Sequence, residues 1–124
     1  MNRLNSDLGW LWLRITVGLA MLLGHGWGKL AGFSTLMTKF PDPIGLGSPF
    51  ALSATVFAEV FCQIFIIIGF KTRWFAAISA ITMLVAAFVV HASDPFSGKE
   101  KAIMYAIIYI GLFFSNGGKY SVKA

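Results

Sequence analysis

A handful of ionisable side chains sit where apolar sequence surrounds them. Glu59 lies ten residues into an apolar stretch running from 49 to 70. A charge at mid-bilayer costs about 2.5–3.5 kcal/mol on insertion scales, so such a residue faces inward and marks a function by default. Thr55 stands one turn before it and Gln63 one turn after, which draws a polar stripe along one helix face. Arg14 and His25 share the first apolar stretch. Eleven steps of about 100° return His25 to within about 20° of Arg14, so the two share a face. Lys29 follows His25 by one turn, and His91, Asp94 and Glu100 cluster later in the chain. A carboxylate and neutral imidazoles in an apolar setting can hold and pass protons. Glu59, His25 and His91 are therefore read as a proton relay or as contacts to a polar headgroup. Arg14, Lys29, Gln63, Asp94 and Glu100 are read as binding residues. The spacing offers no metal-ligand set.

Helical rise gives each residue a depth. Counted from the end that carries the chain termini, Arg14 lies about 9 Å up its helix, Glu59 about 16 Å, His25 about 25 Å and His91 about 28 Å. This ladder makes Arg14 or His25 the expected ionisable neighbour of Glu59. Each member also has a plainer reading. Arg14 and Lys29 can snorkel to headgroups. Glu59 can be a structural partner of Arg14. Glu100 closes Ser97-Gly98-Lys99-Glu100, a capping-box pattern. Cys62 reads as a packing residue without a resolving thiol. Tyr105 and Tyr109, one turn apart, read as packing or interfacial aromatics.

The helices that carry these residues follow from composition. Of 124 residues, 57% are hydrophobic and only 12% charged, with mean hydropathy +0.76. Soluble domains carry about twice that charged share, so a soluble monomer is excluded. Disorder needs the opposite composition. A single cysteine, Cys62, excludes a disulfide scaffold. The net charge of +5 comes from bases scattered at the ends of apolar segments, without a nucleic-acid patch.

A spanning helix takes about 20 apolar residues. Four stretches are expected to span, near 8–31, 49–70, 72–93 and 101–118. The fold class is thus all-α: an integral membrane four-helix bundle, one domain over 1–124, in contact with the lipid bilayer. Lys71-Thr72-Arg73 and Asp94-Pro95-Phe96-Ser97-Gly98 are the short turns. The long link from Gly32 to Ser48 is apolar and broken by Pro41 and Pro43, so it covers the bundle mouth or lies in the interface. The first stretch is no cleavable signal: it is too long and carries Arg14. Arg3, Lys71, Arg73, Lys119 and Lys123 lie on the terminus side, against Lys29, Lys39, Lys99 and Lys101. With Arg14 in the nearer half, the positive-inside rule puts both termini in the cytoplasm. Trp10, Trp12 and Trp74 then mark one interface and Trp27 the other. Gly24, Gly28 and Gly32 recur every fourth residue, a groove where another backbone can approach.

The same residues carry a family resemblance. Leu13-Arg14-Ile15 with Gly18, His25-Gly26 and Lys29-Leu30 resemble the first helix of DoxX-family proteins. Ala58-Glu59, Gly69-Phe70, Thr72-Arg73 and Ala76-Ala77 resemble the second helix and its basic turn. His91-Ala92-Ser93-Asp94-Pro95-Phe96, Lys99-Glu100 and Gly117-Gly118-Lys119-Tyr120-Ser121 continue the pattern in order. The resemblance implies four spans, a bacterial inner membrane and a quinone-linked oxidoreductase component. Its cofactor would be a quinone, with electrons from a redox partner protein. Two other functions stand beside it: a proton-coupled small-solute transporter, which four helices would build as a homo-oligomer, and a non-catalytic membrane scaffold. Two opposed histidines at one depth could also ligate a b-type haem. With only two histidines in the chain, haem ranks below a quinone.

Overall fold

The computed structural model describes residues 3–123. The side chain of Arg3, assigned to the terminus side, lies outside that description. Among the described residues the chain forms five helices, four of them long. Helix α1 covers 3–31, with α-helical turns over Arg3–Met21 and Trp27–Ala31 and a π-helical stretch over Leu22–Gly26 between them. A one-turn helix, α2, covers Phe33–Leu36. Helix α3 covers 48–68, with a π-helical stretch at Phe57–Phe61. Helix α4 covers 72–90 and ends in a third π-helical stretch, Ala86–Val90. Helix α5 is Phe96–Ser115. By length and composition three helices can cross a membrane: Leu4–Ala31, Ser48–Ile68 and Thr72–Val90. Helix α5 is 20 residues long but carries Lys99, Glu100 and Lys101 near its start.

Local chemistry sets these ends. Pro49 in the first turn of α3 forgoes only an N–H that would be unpaired there. Gly69, left-handed at φ 77°, stops α3. Asn116, Gly117 and Gly118 all take positive φ and stop α5. Helix α5 starts five residues before the expected 101, because Pro95 serves as its N-cap residue. Ser97 therefore falls inside the helix, and no side-chain capping bond forms. The expected Ser97–Glu100 capping box is absent for that reason.

The core lies where the four long helices meet. Val17 and Met21 of α1, Ile66 of α3, Ala76, Ala80 and Met83 of α4, and Ala106, Tyr109 and Leu112 of α5 form one buried cluster. Small residues on α4 and α5 let these helices lie closely side by side. A second cluster joins Leu52, Val56 and Val60 of α3 to Phe33, Leu36, Met37 and Phe40, so the link between α1 and α3 folds over the end of the bundle away from the termini. Asp42 holds that link, accepting from the N–H groups of Leu46 and Gly47. The outer surface stays apolar, with Trp12, Trp27 and Trp74 each more than half exposed.

The close approach of α1 to α3 rests on two glycines, but not those of the four-residue repeat. A Cβ on Gly18 would stand 2.5 Å from Ile67 Cγ1. A Cβ on Gly26 would overlap the Glu59 carbonyl oxygen and lie 2.7 Å from its carbon. Gly24 and Gly28 face open space, with nothing within 4 Å of an added Cβ. Of the Gly24/Gly28/Gly32 repeat, only Gly32 has neighbours close to an added Cβ, and these are Gly28 and Leu36 of the adjoining turns rather than another long helix. Gly18 and Gly26 lie eight residues apart, two helical turns, and form the inward seam instead.

Candidate functional site

Glu59 occupies the middle of α3, inside its π-helical stretch, and is buried. Its partner is Lys29: Nζ donates to Oε1 at 2.7 Å. The same ammonium approaches the His25 carbonyl oxygen at 3.5 Å. The Glu59 carboxylate side chain is only 7% exposed and that of Lys29 25%, so the pair is largely taken out of water. This corrects the expectation that Arg14 or His25 would be its ionisable neighbour. Side chains on a helix lean back toward its N-terminus. Lys29 leans from the far end of α1 toward mid-bundle, where Gly26 has already brought α1 against Glu59. Arg14, on the same helix, leans the same way, toward the termini and so away from Glu59.

Arg14 is 1% exposed, and it ends among carbonyls. Its Nε donates to Ile66 O at 3.0 Å, Nη1 to Gly117 O at 2.9 Å and Nη2 to Ile67 O at 3.3 Å. The last carbonyls of a helix lack N–H partners and carry the negative end of its dipole. One guanidinium thus caps α3 and binds the turn after α5 to it. Gly69 and Gly117 leave room for the group: a Cβ on either would come within 3.0 Å of Arg14. The chain's last described residues continue the clamp, with Lys71 N–H donating to Lys123 O at 2.7 Å. Arg14 is a structural clamp at the terminus end and lies apart from Glu59.

Gln63 is fully buried. Its amide donates to Ala58 O at 2.8 Å and to Ser79 Oγ at 3.0 Å, and its Oε1 accepts from the Tyr109 hydroxyl at 2.8 Å. The bracket ties α3 to α4 and α5, uses both amide hydrogens, and does not line the bundle's main cavity.

That cavity measures about 650 Å³ and lies between α1, α3, α4 and α5 under the α1–α3 link. Lys29, Glu59, His25, His91, Lys101 and Tyr105 give it its polar groups, with Thr55 and Thr82. Met21, Phe40, Pro43, Ile44, Phe50, Met83 and Val90 supply apolar walls. All three π-helical stretches border it: His25, Glu59, and Ala86 with Val90 belong to them. A π turn takes about one extra residue, and such bulges concentrate at functional sites. His91 lies at the rim, its Nδ1 2.7 Å from Asp94 Oδ2, in an exposed pair. Asp94 and Glu100 are exposed outside the cavity.

His25 meets Tyr105 edge to face, ring centroids 5.6 Å apart. Neither the His25 ring nor the Tyr105 hydroxyl has a hydrogen-bond partner among the described residues. Every fully buried polar side-chain atom described has one, so these two groups keep accessible surface, and both residues line the cavity. Tyr105 was expected to be packing or belt. Its signal was the pairing with Tyr109 one turn on, which puts two hydroxyls on the inward face of α5. Among the described residues no group of three His, Cys, Asp or Glu is placed to hold a metal.

The DoxX family model matches residues 9–92, which hold α1 from residue 9 onward and α2 to α4, with Arg14, His25, Lys29, Glu59 and His91. An uncharacterized protein of Haemophilus influenzae is 31% identical over 113 residues, covering 86% of this chain and 81% of that protein. No solved structure matches the chain.

Proposed function

The chain belongs to the DoxX family, and we propose that it binds a quinone headgroup in the 650 Å³ cavity as a redox component or accessory subunit of a bacterial inner membrane. In this reading α5 is the fourth span, with Lys99, Glu100 and Lys101 at its interfacial end, and both termini face the cytoplasm. The observation that carries the reading is the pair of unpartnered neutral groups, His25 and Tyr105, opening onto a mostly apolar cavity beside a neutralised ion pair. Ligand sites are concave, mainly apolar and marked by a few placed polar groups.

Reducing a quinone to its quinol takes two electrons and two protons, one proton to each carbonyl oxygen. His25 and Tyr105 can each donate to a carbonyl oxygen. The Lys29–Glu59 pair lies next to them and can pass protons inward, with His91 and Asp94 at the rim. The chain carries no flavin, nucleotide or iron–sulfur motif, so the electrons come from a redox partner protein or a bound cofactor. The open face at Gly24 and Gly28 gives such a partner, or a second copy, a place to pack.

The test is an absorbance spectrum and solvent extract of gently purified protein, followed by benzoquinone titration. A co-purifying quinone is expected, with at least tenfold weaker binding in both His25→Ala and Tyr105→Phe. Unaltered binding in both variants refutes the assignment. The buried Lys29–Glu59 pair favours one alternative, proton-coupled transport of a small solute. Solute flux in proteoliposomes that collapses in Glu59→Gln, without quinone binding, would establish it. A Soret band lost in His25→Ala and His91→Ala would replace quinone by haem.

A further inference from the structure

The cavity does not end at the bundle axis. A second chamber of about 580 Å³ lies between α1 and α5, and Ser97, Lys101 and Tyr105 line both spaces. Leu13, Val17 and Ala20 form its α1 wall, and Met104 and Ile108 its α5 wall. Thr16 adds no free polar group there, because its hydroxyl donates to Trp12 O at 2.7 Å. Glu100 stands at one end, exposed. The α1 wall from Leu13 to Ala20 runs about 10 Å along the helix. It belongs to a helix apolar enough to cross a membrane, so in a bilayer the chamber opens onto lipid rather than water.

The two spaces differ in chemistry and share a boundary. The inner one holds hydrogen-bonding groups without partners. The outer one offers a mainly apolar wall, its polar groups Ser97, Glu100 and Lys101 confined to the start of α5. Tyr105 stands between them, with its ring edge against His25 and its hydroxyl unpartnered. We propose that together they form one site for a single-chain amphiphile taken up sideways from the bilayer between α1 and α5. The head, bearing neutral carbonyl or hydroxyl groups, lies in the cavity against His25 and Tyr105. The alkyl chain lies along the fissure. A neutral head fits because Glu59 already neutralises the buried ammonium of Lys29. This deepens the proposed headgroup site and rests on it, but not on the head being a quinone.

The experiment uses the full chain in detergent and two probe pairs. One pair is 2,3-dimethoxy-5-methyl-1,4-benzoquinone with and without a decyl chain. The other is phenol and 4-decylphenol. The reading is the ratio of Kd without the chain to Kd with it, compared between variants so that micelle partitioning cancels. Ala20→Trp fills the fissure from α1 and Met104→Trp from α5. Ile107→Trp, at an exposed position lining neither space, is the control. We expect at least a tenfold chain preference in the wild-type protein and the control. Each fissure variant should bring that preference near one, with chainless binding held within about twofold. A preference unchanged in both fissure variants overturns the inference while quinone binding stands. Equal loss of chainless and chain-bearing binding also overturns it, since no separate chain path then exists. The same pattern with the phenols alone upholds the inference and removes the quinone assignment. Absence of a chain preference in both pairs overturns the inference.

Discussion

The Lys29–Glu59 pair makes a quantitative demand on stability. Consider Glu59→Gln, Lys29→Met and the double variant. Breaking a fully buried ion pair by removing one partner costs about 3–5 kcal/mol, because a charge is stranded. Glu59→Gln strands Lys29, whose side chain is a quarter exposed and can turn partly toward the cavity mouth. Its cost falls below that range, at about 2 kcal/mol. Lys29→Met strands a carboxylate that is only 7% exposed, and costs about 3 kcal/mol. The double variant leaves no stranded charge but buries an amide without its Lys29 partner, and costs about 2 kcal/mol. The interaction energy from this cycle is therefore about 3 kcal/mol. Reversible unfolding in mixed micelles of rising denaturing-detergent fraction measures it. A parallel cycle of Arg14→Met with Glu59→Gln should be additive within about 0.5 kcal/mol, because those residues share no partner. Coupling below about 0.5 kcal/mol for Lys29 and Glu59, or a larger one for Arg14 and Glu59, refutes the pairing and the cavity floor built on it.

Arg14→Met should cost about 3–6 kcal/mol in the same assay, because three carbonyls lose a donor that is itself buried; a loss under about 1 kcal/mol would contradict the clamp. Gly26→Ala should lower the melting temperature in detergent far more than Gly28→Ala, since only the first Cβ meets the Glu59 backbone; equal melting curves would remove the seam. Tyr109→Phe leaves Gln63 Oε1 without its donor and should cost about 1–2 kcal/mol of unfolding free energy. The exposed His91–Asp94 pair should contribute less than about 1 kcal/mol, read as unchanged unfolding of Asp94→Asn.

Much of the helix pattern was legible because lipid imposes it. Apolar runs of fixed length, broken at Gly69 and at Asn116-Gly117-Gly118, give helices whose ends follow from backbone chemistry. The inward placement of Glu59 was legible for the same reason: stranded in lipid, it would cost more than the bundle could recover. The close-packing glycines were not. The repeat Gly24/Gly28/Gly32 carries the familiar spacing, yet the contact is made by Gly18 and Gly26. Periodicity says which residues share a face, but not which face meets which neighbour.

The partner of Glu59 was misread for two physical reasons, and both bear on how such sites are built. Depths counted from span ends assume the spans begin level. In the structure Gly18 meets Ile67 and Gly26 meets Glu59, so α1 reaches several residues past the end of α3 at the terminus side. That offset lifts Glu59 toward Gly26 and, with the backward lean of helical side chains, hands it to Lys29. The second reason is the helix geometry itself. The count that put Arg14 and His25 on one face used 100° per residue throughout, but Leu22–Gly26 is π-helical. An added residue in that stretch turns the remainder of the helix by roughly 100°. His25 thus points to Tyr105 on α5 while Arg14 holds the end of α3. The π stretches that defeated the count are the ones that border the cavity. The departures from ideal helix turn His25 and Glu59 toward it, and no hydrophobic periodicity encodes them.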